Sequence, residues 1–515
     1  VLAMSLRVLL FAPSSPPQKA RMRVMRAGIR TLQLGRRHMS LTVQTINPAV
    51  VGAQYAVRGE LVLRAAEIKK QIAAAPDSLP IKKVLECNIG NPQAVGQQPL
   101  SFGRQVQSLL AWPALMDMPA ASEMFAPDAV ARAQEYLAAE TKVGAYTESQ
   151  GLSIVRQQVA EFITSRDGVP AVKENVFLTD GASKGVEFLL KLVLRGPDDG
   201  VMVPIPQYPL YSAALALAKA HLLPYELDED AGWSLPVSQL EASLADARAN
   251  GVSCRGLVVI NPGNPTGNCL PLENMQQIVR FCKKESLVLM ADEVYQENIY
   301  QGTAPFHSFK KVAANLGAEA EGLELVSFHS VSKGFLGECG MRGGYFELHG
   351  FNPEVQAQLL KLVSIGLCSN VMGQIAVGLM VRPPQPGEAS HALYSSERET
   401  IMSSLKRRAT KLVAALNALE GVSCNAPQGS MYAFPKVTLP AKAQAAAAEA
   451  GKAADTFYAL ALLEATGIVV VPGSGFRQKK DTWHFRTTFL PPEGDMDTVI
   501  AQMATFHAGF MAKYS

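Results

Sequence analysis

The chain has 515 residues, 48% of them hydrophobic and 18% charged, with mean hydropathy near zero, enough for more than one domain with a sizeable core and unlike a disordered or fibrous protein. Its formal charge of +3 is unevenly spread: residues 1–45 hold eight Lys/Arg and no Asp/Glu, so the remainder is acidic by five charges. That balance excludes a nucleic-acid or anionic-membrane binder held by net charge.

The basic residues of the leader are Arg7, Lys19, Arg21, Arg23, Arg26, Arg30, Arg36 and Arg37, and the first acidic residue is Glu60. An Arg-rich, acid-free segment interspersed with Leu, Met and Ser has the composition of an organelle transit peptide. A basic arm is the alternative reading. Arg outweighing Ser favours the mitochondrial matrix over a chloroplast; a cytoplasmic location is the remaining alternative.

Residues 58–75 have helical period and are expected to join the C-terminal part. The middle of the chain repeats one rhythm, a short β-branched run, a Gly/Pro or polar turn, then a helical stretch. The runs at 176–179, 201–205, 257–260, 287–290 and 325–328 read as buried strands. A helix is expected at 185–194 and another at 272–284, where Met275, Ile278, Val279 and Cys282 recur at helical spacing. This βαβ pattern predicts an α/β fold with a mostly parallel sheet covered on both faces. Residues 362–381 are uncharged, but Ser364, Ser369, Asn370, Gln374 and three glycines make them too polar for a membrane span. They are expected to be buried in protein or at a subunit contact.

After about residue 385 the texture changes. A long amphipathic helix is expected at 393–419, strands around 431–434 and 468–471, an exposed Ala/Lys/Glu-rich helix or insertion at 441–454, and a closing helix at 496–511. The division follows: a leader at 1–45, an arm and part of a small domain at 46–130, a large domain at 131–385 and the rest of the small domain at 386–515. The seven cysteines are scattered, odd in number and free of any CxxC pair, which points to a reducing compartment without disulfides. No His/Cys pair has the spacing of a metal site.

Ligands of open α/β sheets bind beyond the carboxyl ends of the strands. There the sequence places Thr179-Asp180-Gly181-Ala182-Ser183-Lys184-Gly185, Pro206-Gln207-Tyr208-Pro209, Asn261-Pro262-Gly263-Asn264-Pro265-Thr266-Gly267, Asp292-Glu293-Val294-Tyr295 and Ser330-Val331-Ser332-Lys333. Singly, each has an ordinary use: the Asn-Pro repeat is a turn and Asp292 a strand-end cap. Together they meet the needs of pyridoxal 5′-phosphate. Its phosphate wants backbone N–H groups at a helix N-terminus, which Ala182, Ser183 and Lys184 can supply. Its pyridine nitrogen wants a carboxylate, Asp292. Asn264 and Tyr295 can donate to the phenolic oxygen, Tyr208 can cover the ring, and Lys333 is the amine that can form an imine with the aldehyde and shuttle protons.

From about residue 50 onward the chain resembles the class I/II aminotransferases of fold type I. Further motifs that carry the resemblance are Asn88-Ile89-Gly90-Asn91-Pro92-Gln93, Tyr146-Thr147-Glu148-Ser149-Gln150-Gly151, Gly340-Met341-Arg342-Gly343-Gly344, Gln428-Gly429-Ser430-Met431-Tyr432, Val471-Pro472-Gly473-Ser474-Gly475-Phe476 and His484-Phe485-Arg486-Thr487-Thr488. Residues 332–345 are most like the members that act on alanine. The resemblance implies that Lys333 holds the cofactor as an aldimine, that Ala182, Ser183, Lys184, Ser330 and Arg342 hold the phosphate, and that Arg486 clamps the substrate α-carboxylate with Gly90 closing over it. It implies that Tyr146 reaches the phosphate in a neighbouring subunit, hence a homodimer with shared active sites. The implied reaction is a ping-pong transfer between amino acids and 2-oxo acids, L-alanine and 2-oxoglutarate giving pyruvate and L-glutamate. A glutamate–glyoxylate specificity, or a related lyase, is the alternative. Arg342 follows Lys333 by nine residues where many relatives have eight, which predicts a one-residue bulge around Gly337. Lys184 stands where relatives often carry another residue, so its backbone N–H matters more than its side chain. His329 and His484, in apolar company, are expected to be core histidines.

Overall fold

β1 (Leu85–Glu86) precedes a central sheet of seven strands: β2 (Val176–Asp180), β3 (Asp199–Ile205), β4 (His221–Glu226), β5 (Ser253–Ile260), β6 (Val288–Asp292), β7 (Leu325–Ser330) and β8 (Gly343–His349). The order across the sheet is β2-β8-β7-β6-β5-β3-β4. Neighbours from β4 to β7 run parallel, while β8 is antiparallel to both β7 and β2. This computed structural model describes residues 41–53, 55, 59–76, 78–300 and 306–515; most of the leader, and Arg58 at the start of the expected first helix, lie outside the described residues.

The strands β3, β6 and β7 are buried along their whole length, as a sheet covered on both faces requires. The helix Leu272–Glu285 lays Met275, Ile278, Val279 and Cys282 against Leu257 and Leu289 of the sheet, so the helical spacing read in the sequence is its core face. Two strands lack a comparable signal. β4 is an edge strand containing Pro224, with His221 and Pro224 exposed, and β8 opens on the pair Gly343-Gly344.

The C-terminal part adds β9 (Val422–Ser423), β10 (Tyr432–Ala433), β11 (Lys436–Val437), β12 (Ile468–Val469), β13 (Val471–Pro472) and β14 (Phe485–Thr488). β14 lies between β10 and β13, β9 pairs with β11, and β12 pairs in parallel with β1. Helices His391–Asn417, Ala454–Thr466 and Glu493–Tyr514 pack over these strands. The helix Glu60–Ala74 joins this part by packing Ala65 and Ile68 against Leu463 and Val469. Helices Ser101–Ala111 and Pro127–Ala138 instead pack Phe102, Val106 and Tyr136 with Val155, Leu178 and Ile375 on the large sheet.

Within residues 441–454 the helix Ala441–Glu449 is exposed at six of its nine residues and buries Ala443 and Ala447, and Ala454 starts the next helix. The small Ala side chains let this helix approach the core closely. Residues 362–381 are buried at Val363, Ser369 and over most of Val371–Val381, while Ile365 and Leu367 are exposed in the turn between two helices. Among the described residues no helix is long and apolar enough to cross a membrane.

Candidate active site

At the carboxyl ends of β5, β6 and β7 a cavity of about 340 Å³ opens between the sheet, the segment before β2 and the C-terminal part. Gly90, Ala182, Ser183, Tyr208, Asn264, Asp292, Tyr295, Ser330, Lys333, Arg342 and Arg486 all line it. Eleven positions spread from residue 90 to 486 are thus brought to one place by strand ends and the turns after them.

One end of the cavity is built for an anion. The helix Ala182–Val193 starts at Ala182, three residues earlier than the hydrophobic spacing suggested, so its first turn faces the cavity directly from β2. Its N-cap, Gly181, has no side chain to satisfy the free amides and sits at φ +77. A Cβ there would lie 2.4 Å from Arg342 Nη2, so glycine is what lets the guanidinium come close. Arg342 donates to Asp180 O at 2.9 Å and approaches Ser183 Oγ at 3.4 Å. Its backbone is left-handed, φ +52, as is that of Gly337 between it and Lys333, φ +62. Ser330 Oγ bonds Gly343 O and Ser332 N from the other side.

The floor carries Asp292, the one carboxylate among the described residues that lines the cavity. Asp292, the last residue of β6, accepts from Tyr211 Oη at 2.8 Å through Oδ2, while its buried Oδ1 has no partner. Burial raises its carboxyl above the ordinary aspartate value, and Tyr211, the Val294 N–H and the Lys333 ammonium only partly offset this. A buried carboxylate oxygen without a partner, on a residue that lines a cavity, calls for a cationic or N–H donor. Lys333 Nζ donates to Gly90 O at 2.8 Å and lies 5.7 Å from the Tyr295 ring centroid. Gly90 is held so closely that a Cβ would come within 2.1 Å of Tyr432 Oη.

Arg486, on β14, is only 1% exposed. It donates to Asn264 Oδ1 at 3.0 Å and Asn88 O at 2.6 Å, and its Nε is left without a partner. Its guanidinium lies 4.1 Å from the Tyr432 ring centroid and 4.9 Å from that of Phe476. Tyr295 Oη donates to Tyr432 Oη at 3.1 Å. Burial and the neighbouring Tyr432 push the Tyr295 phenol well above its ordinary value. Burial would raise Tyr432 too, but Lys333 and Arg486 beside it bring it below. The cavity thus sets Lys333, Arg342 and Arg486 around one buried carboxylate, a field suited to anions.

Two expected residues stand apart. Lys184 points away, pairing with Glu187 at 2.9 Å and resting on Phe188, and its N–H is already bonded to Gly181 O. Tyr146 is 79% exposed and does not line the cavity. Conversely, Tyr55, Tyr211, Cys339 and Tyr432 belong to the site without having been singled out for a role. Tyr55 Oη bonds Tyr208 Oη at 3.0 Å, which brings the N-terminal segment over the expected ring-binding face. Tyr211 follows Tyr208 by three residues on the helix Pro209–Leu217, a spacing that could have flagged it.

The chain belongs to the class I and II aminotransferases: the family model of that description matches residues 117–502. It is an enzyme of transamination. Among its relatives is the Dictyostelium discoideum protein described as "Probable alanine aminotransferase, mitochondrial", 53% identical over 92% of this chain and 90% of that one. The glutamate–glyoxylate aminotransferase 2 of Arabidopsis thaliana is 49% identical over 92% of this chain and 98% of its own length. In fold, the chain is similar to the solved alanine aminotransferase of Pyrococcus furiosus, with TM-score 0.71 and 22% identity over 90% of this chain and 99% of that one.

Proposed function

We propose that the cavity binds pyridoxal 5′-phosphate and that the enzyme transfers the amino group of L-alanine to 2-oxoglutarate, giving pyruvate and L-glutamate. The observation that carries this reading is Asp292 Oδ1, buried and unpaired between an anion cradle and a lysine. When bound, the cofactor supplies a carbonyl that combines with amines and a ring that takes up electron density from the substrate Cα.

The residues around it then have separable tasks. The amides of Ala182 and Ser183, with Ser330 and Arg342, hold the phosphate. Asp292, kept in place by Tyr211, holds a proton on the pyridine nitrogen. Asn264 and Tyr295 serve the phenolic oxygen and Tyr208 covers the ring. Arg486 binds the α-carboxylate shared by every amino-acid and 2-oxo-acid substrate, a bidentate task suited to guanidinium, while Gly90 leaves room for it. Lys333 Nζ takes the Cα proton and returns it at the cofactor's C4′. Because one clamp serves donor and acceptor, the oxo acid leaves before the acceptor enters, a ping-pong order.

Tyr146, exposed in one protomer, is assigned to the phosphate of a second copy, making a homodimer with shared sites. Lys184 contributes little through its side chain. The Arg-rich leader is read as a mitochondrial address, supported by the names of relatives such as that of Dictyostelium. The glutamate–glyoxylate relative favours a second specificity, which a panel of L-alanine and L-glutamate against 2-oxoglutarate, pyruvate and glyoxylate separates. The highest kcat/KM for alanine with 2-oxoglutarate supports the reading; a preference for glutamate with glyoxylate overturns the alanine assignment.

A further inference from the structure

His484 lies two residues before Arg486, at the entry to β14, so strand alternation turns both toward the same face. On that face is a row of rings. The imidazole stacks on Phe434 at 4.7 Å and 4°, Phe434 meets Phe476 edge-on at 5.8 Å, and the Arg486 guanidinium rests over Phe476. Trp233 closes the outer end, with its ring centroid 6.0 Å from His484. The clamp residue and the imidazole are therefore opposite ends of one packed array.

The imidazole is 3% exposed yet fully engaged. Gln478 Nε2 donates to Asp455 Oδ2 at 2.9 Å, which leaves Gln478 Oε1 to accept from His484 Nδ1 at 2.9 Å. Nε2 faces both oxygens of Glu229 at 3.1 Å. The two ring nitrogens thus tie two places together, one within the C-terminal part and one in the loop after β4 of the large sheet. A cavity of about 280 Å³ separates these two parts where Glu229 and His484 meet. Further links between the two parts include Asn425 donating to Glu229 O at 2.9 Å and the longer approaches of Lys436 to Glu229 and of Lys479 to Glu226, each at 3.9 Å.

We propose that His484 is a positioning residue for Arg486. Held between Gln478 and Glu229, it fixes β14 against the large sheet and sets, through the Phe434–Phe476 plate, where the guanidinium stands over the cavity. The proposal rests on Arg486 being the α-carboxylate clamp. The α-carboxylate is common to donor and acceptor, so a displaced clamp weakens both substrates by the same factor, while Lys333 and the proton transfers are untouched.

The test uses the full-length holoenzyme and its variants His484→Ala, Glu229→Ala, Glu229→Gln, the His484→Ala/Glu229→Ala double variant and Arg486→Lys. KM and kcat are measured for both L-alanine and 2-oxoglutarate, alongside the melting temperature. Expected is a parallel rise of about 10-fold in both KM values for each alanine variant, an order below the ~10²-fold that a 1 Å misplacement can cost, with kcat within about twofold. The double variant should be no worse than the singles. Glu229→Gln, which keeps an acceptor for Nε2, should stay within about twofold of the parent enzyme. Unchanged KM values overturn the proposal, as does a lower melting temperature with lower kcat and unmoved KM, the mark of a purely structural role. Additive effects of the two alanine substitutions overturn the pairing. A rise in neither KM in Arg486→Lys defeats the clamp reading itself, and no alanine turnover by the parent enzyme defeats the assigned substrate, each distinguishable from failure of the His484 proposal alone.

Discussion

Tyr211 donates to Asp292 Oδ2 at 2.8 Å and leaves Oδ1, on a residue that lines the cavity, buried and unpaired. The phenol holds the carboxylate in place without using its second oxygen. Replacing Asp292 by Asn removes the charge but not the shape. The expected result is a fall in kcat of about 10²–10³-fold, the scale of one preorganised electrostatic contact, with the melting temperature near that of the parent enzyme. Steady-state kinetics on folded Asp292→Asn checks it, and retention of full kcat would remove Asp292 from the chemistry.

Gly90→Ala places a methyl where Tyr432 Oη stands 2.1 Å away. Tyr432 is buried between Tyr295 and Arg486 and cannot retreat into solvent, so the clamp shifts with it. KM should rise for both substrates, and adding Tyr432→Phe, which deletes the clashing oxygen, should recover part of the loss. A double variant as poor as Gly90→Ala alone would place the clash elsewhere.

How far the site could be read from sequence depends on what each residue needs. Lys333, Asp292 and Asn264 lie at or just after the ends of apolar strands, where hydrophobic patterning fixes their position, while Arg342 stands immediately before β8. Tyr55 and Tyr432 reach the cavity through long-range packing, which no local period encodes. Lys184 misleads because the helix begins at Ala182 and turns that side chain outward toward Glu187. The antiparallel β8 was hidden by its two glycines, which are needed for close backbone approach and offer no β-branched signal. Helices Ser101–Ala111 and Pro127–Ala138 show their amphipathic faces but not which part of the chain receives them. His484 is the core residue that its aromatic neighbours suggest, but its polar partners, Gln478 and Glu229, come from different loops and could not be read locally.

Tyr146 offers a test of shared sites. If it serves the partner's phosphate, mixing Lys333→Ala protomers with Tyr146→Ala protomers creates heterodimers with one intact site. Random reassortment should then restore about one quarter of the parent activity, half of the dimers carrying one good site of two. No activity above that of the two parents combined would confine Tyr146 to its own subunit or to packing.

Glu293, beside Asp292 but turned into the protein, accepts from the Phe309 N–H at 2.8 Å, and burial raises its carboxyl to about 7. The native state therefore keeps a proton that the unfolded chain loses near pH 4.5. The contribution of this group to stability is full below that pH and declines as pH rises toward 7, by about 3 kcal/mol at most. Glu293→Gln keeps the acceptor without the titration, so its melting temperature relative to the parent should climb between pH 5 and pH 8. A constant difference across that range would contradict the assignment.

The most direct test of the whole account is a single half-reaction. Holoenzyme mixed with L-alanine and no acceptor should release one pyruvate per subunit and stop, its cofactor spectrum shifted to the aminated form. Adding 2-oxoglutarate should then return the spectrum and yield one L-glutamate, while Lys333→Ala does neither. Continuous product formation from alanine alone, or no pyruvate until an acceptor is present, would contradict ping-pong transamination at this site.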